Sequence, residues 1–244
     1  VDVALDHAPR AVMLSFGDAG AFLPRVKRRG TLAIVQVQTL EGARRALAEG
    51  ADVIVAQGTE AGGHGGARAT LPLVPAVVDI AGAVPVVAAG GIADGRGLAA
   101  ALMLGAAGVL CGSAFYASAE SLAGGNAKQA AVAGSGDATS RSALFDVVRG
   151  FDWPPEWNTR ALENEFYRRW REDEEGLARS IATERARYAA AARADDVATA
   201  AVFIGEAVDL VRAVSPAGDI LRTMISTAEA RVQAIRMLAG ATDP

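Results

Sequence analysis

One histidine is flanked by four glycines, two on each side, in the segment Gln57-Gly58-Thr59-Glu60-Ala61-Gly62-Gly63-His64-Gly65-Gly66. Imidazole can donate a hydrogen bond, accept one or move a proton near neutral pH, so it suits acid–base work and the orientation of an anion. Glycine supplies no packing partner, so His64 in this setting does not read as core filler. The glycines instead let the backbone approach a flat ligand closely or adopt positive φ. Two more glycine segments follow, Ala89-Gly90-Gly91-Ile92-Ala93-Asp94-Gly95 and Gly112-Ser113-Ala114-Phe115. Backbone N–H groups at such turns, together with a helix N-terminus, can hold a phosphate. No G-x-G-x-x-G follows a strand and opens a helix, which argues against a dinucleotide. Cys111 lacks a neighbouring base and does not read as a nucleophile. No metal-ligating set is read, and His7, before the first strand, reads as an exposed bystander.

These residues need elements to carry them. Apolar runs rich in Val and Ile predict five strands, over 11–16, 32–37, 52–56, 85–89 and 108–111. Amphipathic segments between them predict helices over 40–49, 73–81 and 95–104, with Thr39 as an N-cap and Gly50 as a stop. Alternation of this kind signals βα units around a parallel sheet. Each glycine segment then falls at the C-terminal end of a strand, the edge where parallel α/β folds bind ligands. After Ser118 the pattern changes. The stretch 124–137 is small and polar and reads as an exposed connection, and 149–155 is aromatic and broken by prolines. From Arg160 to Ala194 the chain reads as charged helix, with Leu162, Phe166, Trp170 and Leu177 on an apolar face packed against the barrel. Helices are expected again over 201–214 and 217–238, separated at Ser215-Pro216. The division expected is residues 1–120 as barrel, 121–200 as a helical subdomain and 201–244 as closing helices.

The chain has 244 residues, half of them hydrophobic (51%), which is enough to bury a sizeable core. A net charge of −4 argues against a nucleic-acid or membrane-surface partner, since both favour a basic face. A small-molecule substrate fits better. The single cysteine excludes an intramolecular disulfide and is in keeping with a cytoplasmic location. The acidic, arginine-rich stretch from Arg160 to Arg193 reads as a solvated face, or as a surface through which a homo-oligomer could form.

In order and spacing, the Gln57–Gly66 segment, Val86–Gly95 and Leu110-Cys111-Gly112-Ser113 resemble the core motifs of the nitronate monooxygenases, formerly called 2-nitropropane dioxygenases. Arg149–Pro154, Ala161–Asn164, Gly205–Val208 and Ser215–Ala217 look like later parts of the same family. The resemblance implies a TIM (β/α)8-type barrel with an α-helical C-terminal subdomain, and FMN held non-covalently at the barrel mouth. It implies FMN-dependent oxidation of alkyl nitronates by O2 to carbonyl compounds and nitrite. It puts His64 in the active-site histidine position, Gln57, Gly62 and Gly63 by the flavin, and Gly90 and Gly91 toward its phosphate. Leu110, Cys111, Gly112 and Ser113 would complete the phosphate cradle, although Cys111 stands where many members carry another residue such as isoleucine.

A barrel of this class has eight strands, and the five read here leave about the first three missing. Two other readings therefore stand beside the first. One is an FMN-dependent enoyl-acyl carrier protein reductase, which shares the barrel and a similar Gly-Gly-His segment and would use a nicotinamide reductant. The other is an inactive truncated barrel remnant with an uncovered strand edge.

Overall fold

The computed structural model describes residues 1–240. Val- and Ile-rich runs form the parallel strands β1 (Ala11–Ser15), β2 (Leu32–Val37) and β3 (Val53–Gln57). A two-residue strand, β4 (Gly63–His64), follows, and then β5 (Val86–Ala89) and β6 (Gly108–Leu110). The main sheet has the order β1-β2-β3-β5-β6. Each of its strands pairs in parallel with the next along the chain, β4 apart, through registers such as Ile54↔Val86 and Val87↔Gly108. Sequential parallel strands joined by helices make the wall of a (β/α)8-type barrel, five strands of it here.

Helix signals in the sequence are matched by real caps. Thr39 accepts a hydrogen bond from Gly42 N at 3.0 Å and opens the helix Leu40–Ala48. Asp94 accepts from Arg96 N and Gly97 N and opens the helix Gly95–Met103. The helix Thr70–Ala81 has no side-chain cap at Ala69, but the Glu60 carboxylate accepts from Thr70 N at 2.9 Å. A negative group at that end also favours the helix dipole. Fully buried Ile54, Leu73, Val74, Val77 and Ala88 pack these helices on the sheet.

Beyond Ser118 the structure differs from the sequence expectation. Strands β7 (Thr139–Ser142) and β8 (Thr159–Leu162) join β4 in a second, antiparallel sheet of order β4-β8-β7. Their sequences, Thr-Ser-Arg-Ser and Thr-Arg-Ala-Leu, are short and polar, so periodicity gives no strand signal. Leu162 accordingly ends a strand rather than opening a helix, and the helices begin at Glu165–Trp170 and Glu174–Arg193. Residues 201–205 are extended, with Leu162 N donating to Val202 O at 3.0 Å, and only Glu206–Leu210 is helical, as a 3-10 turn. The β-branched and aromatic run before Gly205 suits that extended path. The last helix, Ala217–Gly240, packs on Gly95–Met103. No helix among the described residues is long and apolar enough to cross a membrane.

Candidate active site

The loop that leaves β3 carries Gly58 to Gly66 and is fixed from outside the main sheet. Gly63 and His64 pair with Arg160 and Thr159 of β8. The Arg141 guanidinium donates to the carbonyl oxygens of Thr59, Ala61, Gly63, Gly65 and Asn158. Beside it Arg160 donates to Thr59 O at 3.0 Å and pairs with Glu206 at 2.8 Å. Burial, followed by the charge of Arg160, pushes Arg141 down to about 10. It therefore remains a cation at neutral pH. One planar fork of donors thus ties together carbonyl oxygens from four loop residues and from Asn158.

Gly62 meets the chain near Ile204 so closely that a Cβ would lie 2.5 Å from Ile204 C and 2.6 Å from Gly205 N. Glu206 N donates to Glu60 O at 2.9 Å across the same contact. The glycine at 62 is thus required by backbone approach, as the sequence suggested, although the partner there is the protein's own chain.

His64 is enclosed on several sides. Its Nε2 lies 2.9 Å from Oδ2 of Asp146, on the helix Leu144–Arg149. The Asp146 side chain is only 3% exposed, and the Thr159 hydroxyl donates to the same Oδ2 at 3.0 Å. Trp153 stacks on the imidazole, with centroids 3.7 Å apart and planes 18° apart. The Phe16 ring packs edge-on against Trp153, Trp157 and His64. Phe16 holds a φ of +62°, a left-handed conformation that bulky residues rarely adopt, at the C-terminal end of β1.

Next to this enclosure is a cavity of about 170 Å³, lined by Gln57, Gly62, Gly90, Gly91, Leu110, Gly112 and Ser113 together with Tyr116 and Phe203. Gly90 and Gly91 have φ of +98° and +70° at the end of β5. Gln57 joins cavity and enclosure: its side chain lines the first, and its Nε2 donates to the His64 carbonyl at 3.3 Å. Gln38 Nε2 in turn donates to Gln57 Oε1 at 2.9 Å, which sets the amide's orientation. Ser113 Oγ accepts from Gly205 N at 2.9 Å.

Two residues grouped with these by the sequence reading lie elsewhere. Gly63 is in the β4–β8 pair, and Cys111 packs against apolar clusters on the helix side of the sheet, where burial pushes its thiol up to about 11. His7 is exposed.

The sequence profile of the family described as nitronate monooxygenase matches residues 1–227. The chain belongs to the nitronate monooxygenase family. Nitronate monooxygenase npaC of Metarhizium robertsii is 42% identical over 183 residues, covering 70% of this chain and 50% of that relative. The chain thus spans about half the length of that relative. Among solved structures, FabK from Thermotoga maritima superposes with a TM-score of 0.85 at 28% identity, covering 97% of this chain and 73% of the other. Nitroalkane oxidase from Streptomyces ansochromogenes gives 0.79 at 31% identity, covering 96% and 68%.

This member of the nitronate monooxygenase family also places residues at the site that its sequence did not single out. Asp146 interrupts the apolar run Leu144-Phe145-Asp146-Val147-Val148, and a lone carboxylate in such a run is a legible sign of a buried role. Arg141, between two serines, gives no comparable sign. The sequence offers Trp153 only within the Arg149–Pro154 segment that resembles the family, and Phe16 only as part of a strand.

Proposed function

We propose that the protein oxidises alkyl nitronates with O2, giving a carbonyl compound and nitrite, with FMN as its cofactor. The observation that carries this reading is the junction at Gln57, which lines the glycine-rich cavity and bonds the backbone of His64, whose imidazole is backed by a buried carboxylate, in a chain of this family.

The residues present fit a flat, phosphorylated group. Gly90 and Gly91 line the cavity with positive φ that side-chain-bearing residues rarely adopt, and a Cβ at Gly112 would meet nothing within 4 Å, so the backbone there is open to close approach by a ligand. Gly91, Gly112 and Ser113 would hold the phosphate, and Gln57 and Gly62 would lie by the ring system. Bound flavin would supply the electron transfer between nitronate and O2.

His64, when it carries a proton on both ring nitrogens, would orient the nitronate by donating to a nitro oxygen. With a neutral nitroalkane it would take the α-proton, the C–H electron pair moving into the C=N bond and the charge onto the nitro oxygens. Trp153 and Phe16 restrict water around the ring.

The likeness to FabK favours a second reading, an enoyl-acyl carrier protein reductase using a nicotinamide. One experiment decides between them. Nitrite released from propionate 3-nitronate or an alkyl nitronate without NAD(P)H supports the first, and NADH oxidation with an enoyl thioester supports the second. A purified chain that gains no yellow colour with added FMN would refute both and leave the remnant.

A further inference from the structure

We propose that Asp146 is the positioning residue of His64: it holds the ring proton on Nε2 and leaves Nδ1 as the ring's basic atom.

Residues directly opposite on paired strands put their side chains on the same face of a sheet. His64 and Thr159 are such a pair, and both reach Oδ2 of Asp146, at 2.9 and 3.0 Å. An ionised carboxylate only accepts, so the imidazole must present a hydrogen to it from Nε2. In the neutral ring the other nitrogen then carries the lone pair. Nδ1 has no hydrogen bond among the described residues.

The carboxylate has little freedom to choose another partner. It is 3% exposed, Oδ1 makes no hydrogen bond, and the nearest cation, Arg149 Nη1, stands 3.8 Å from that atom. Trp153 fixes the imidazole plane from one face. The ring is therefore held at its backbone by β4, at its face by an indole and at Nε2 by Asp146. A carboxylate serving only to anchor its own helix would need Thr159 and not the imidazole.

Only two histidines are present, so nitrogen-15 spectra of the imidazoles can be assigned with a His7→Gln variant. At alkaline pH, where imidazole is neutral, His64 is expected with its hydrogen on Nε2, and Asp146→Asn should mix the two ring forms. A wild-type ring carrying its hydrogen on Nδ1, or exchanging freely between the two forms, would overturn the proposal. If Asp146→Asn does not fold, Thr159→Val serves. It removes one bond and keeps the carboxylate, so its ring should still carry the Nε2 hydrogen, and loss of that form would count against Asp146.

The consequence for turnover rests on the proposed reaction. In flavin-loaded protein, Asp146→Asn should slow a neutral nitroalkane by roughly 100-fold to 10,000-fold, the contribution of a positioned acid–base group, with about 10,000-fold the loss when a triad histidine's carboxylate becomes an amide. A preformed nitronate needs no deprotonation and should suffer at least tenfold less. Equal losses on both substrates would mark Asp146 as merely structural. If the wild type releases no nitrite at all, the reaction assignment fails while the nitrogen-15 result stands. If nitrite is released but the ring hydrogen is on Nδ1, the positioning role fails alone.

Discussion

The indole of Trp153 lies flat on the imidazole of His64, 3.7 Å between centroids, and leaves the histidine side chain 16% exposed. A reagent must displace the indole to reach that face. Diethyl pyrocarbonate should therefore modify exposed His7 well before His64, and Trp153→Ala should speed His64 modification several-fold while His7 is unchanged. Equal rates at both histidines in the wild type would contradict the stacking.

His64→Asn keeps a polar side chain of similar reach but cannot take a proton. Flavin binding should persist, because cavity-lining Gln57 bonds the His64 backbone carbonyl, which the substitution keeps. Nitrite release should fall by about 100-fold to 10,000-fold, the usual contribution of a positioned acid–base group. Absorbance titration with FMN and a nitrite assay separate the two effects.

Arg141→Met removes the donors to the carbonyl oxygens of Thr59, Ala61, Gly63, Gly65 and Asn158. A loss of about 3 kcal/mol is expected from the carbonyls of Ala61, Gly63 and Gly65 losing this donor, while Thr59 O keeps Arg160 and Asn158 O keeps Gly65 N. Arg141→Lys should recover little of it, since a point charge with three donors cannot reproduce the planar fork. Urea denaturation followed by tryptophan fluorescence measures both variants.

Cys111 should be chemically quiet. With its thiol pushed up to about 11 by burial, the thiolate is scarce at neutral pH and grows only as pH rises toward that value. At pH 8 about one molecule in a thousand would carry it, against about a quarter for a free cysteine. Iodoacetamide should label the denatured chain quickly and the native chain slowly, with a native rate that climbs steeply above pH 9. The sign for stability follows: the unfolded thiol ionises at lower pH than the folded one, so the contribution of Cys111 to stability is full below the unfolded pKa and is lost as pH rises toward the folded value.

The barrel wall was legible because its inner strands β2, β3 and β5 are mostly buried and so read as continuous Val and Ile runs, and because Thr39 and Asp94 are caps of ordinary type at the expected positions. The glycines at 62, 90 and 91 were legible for the same reason that they work: a close approach or a left-handed turn tolerates little else. What stayed hidden is held by partners far along the chain. Thr139–Ser142 and Thr159–Leu162 become strands because a loop some 80 residues earlier offers carbonyls and an edge, as the 82-residue separation of Arg141 and Thr59 shows. A local pattern cannot encode such a partner. Residues 201–205 were misread for a related reason, since their extended path is set by Leu162 and Glu60 rather than by their own periodicity.

Pairing of β4 with β8 also orders events in time. Chains emerge from the ribosome N-terminus first. The β1, β2 and β3 strands can meet early, but the imidazole acquires its carboxylate only when a segment 82 residues downstream has been made and has closed over it. A nascent chain halted before Asp146 would already have its glycine loop and parallel strands, yet its histidine would be an ordinary side chain on an unanchored turn. Chemistry here is a late product of synthesis, withheld until the second sheet closes.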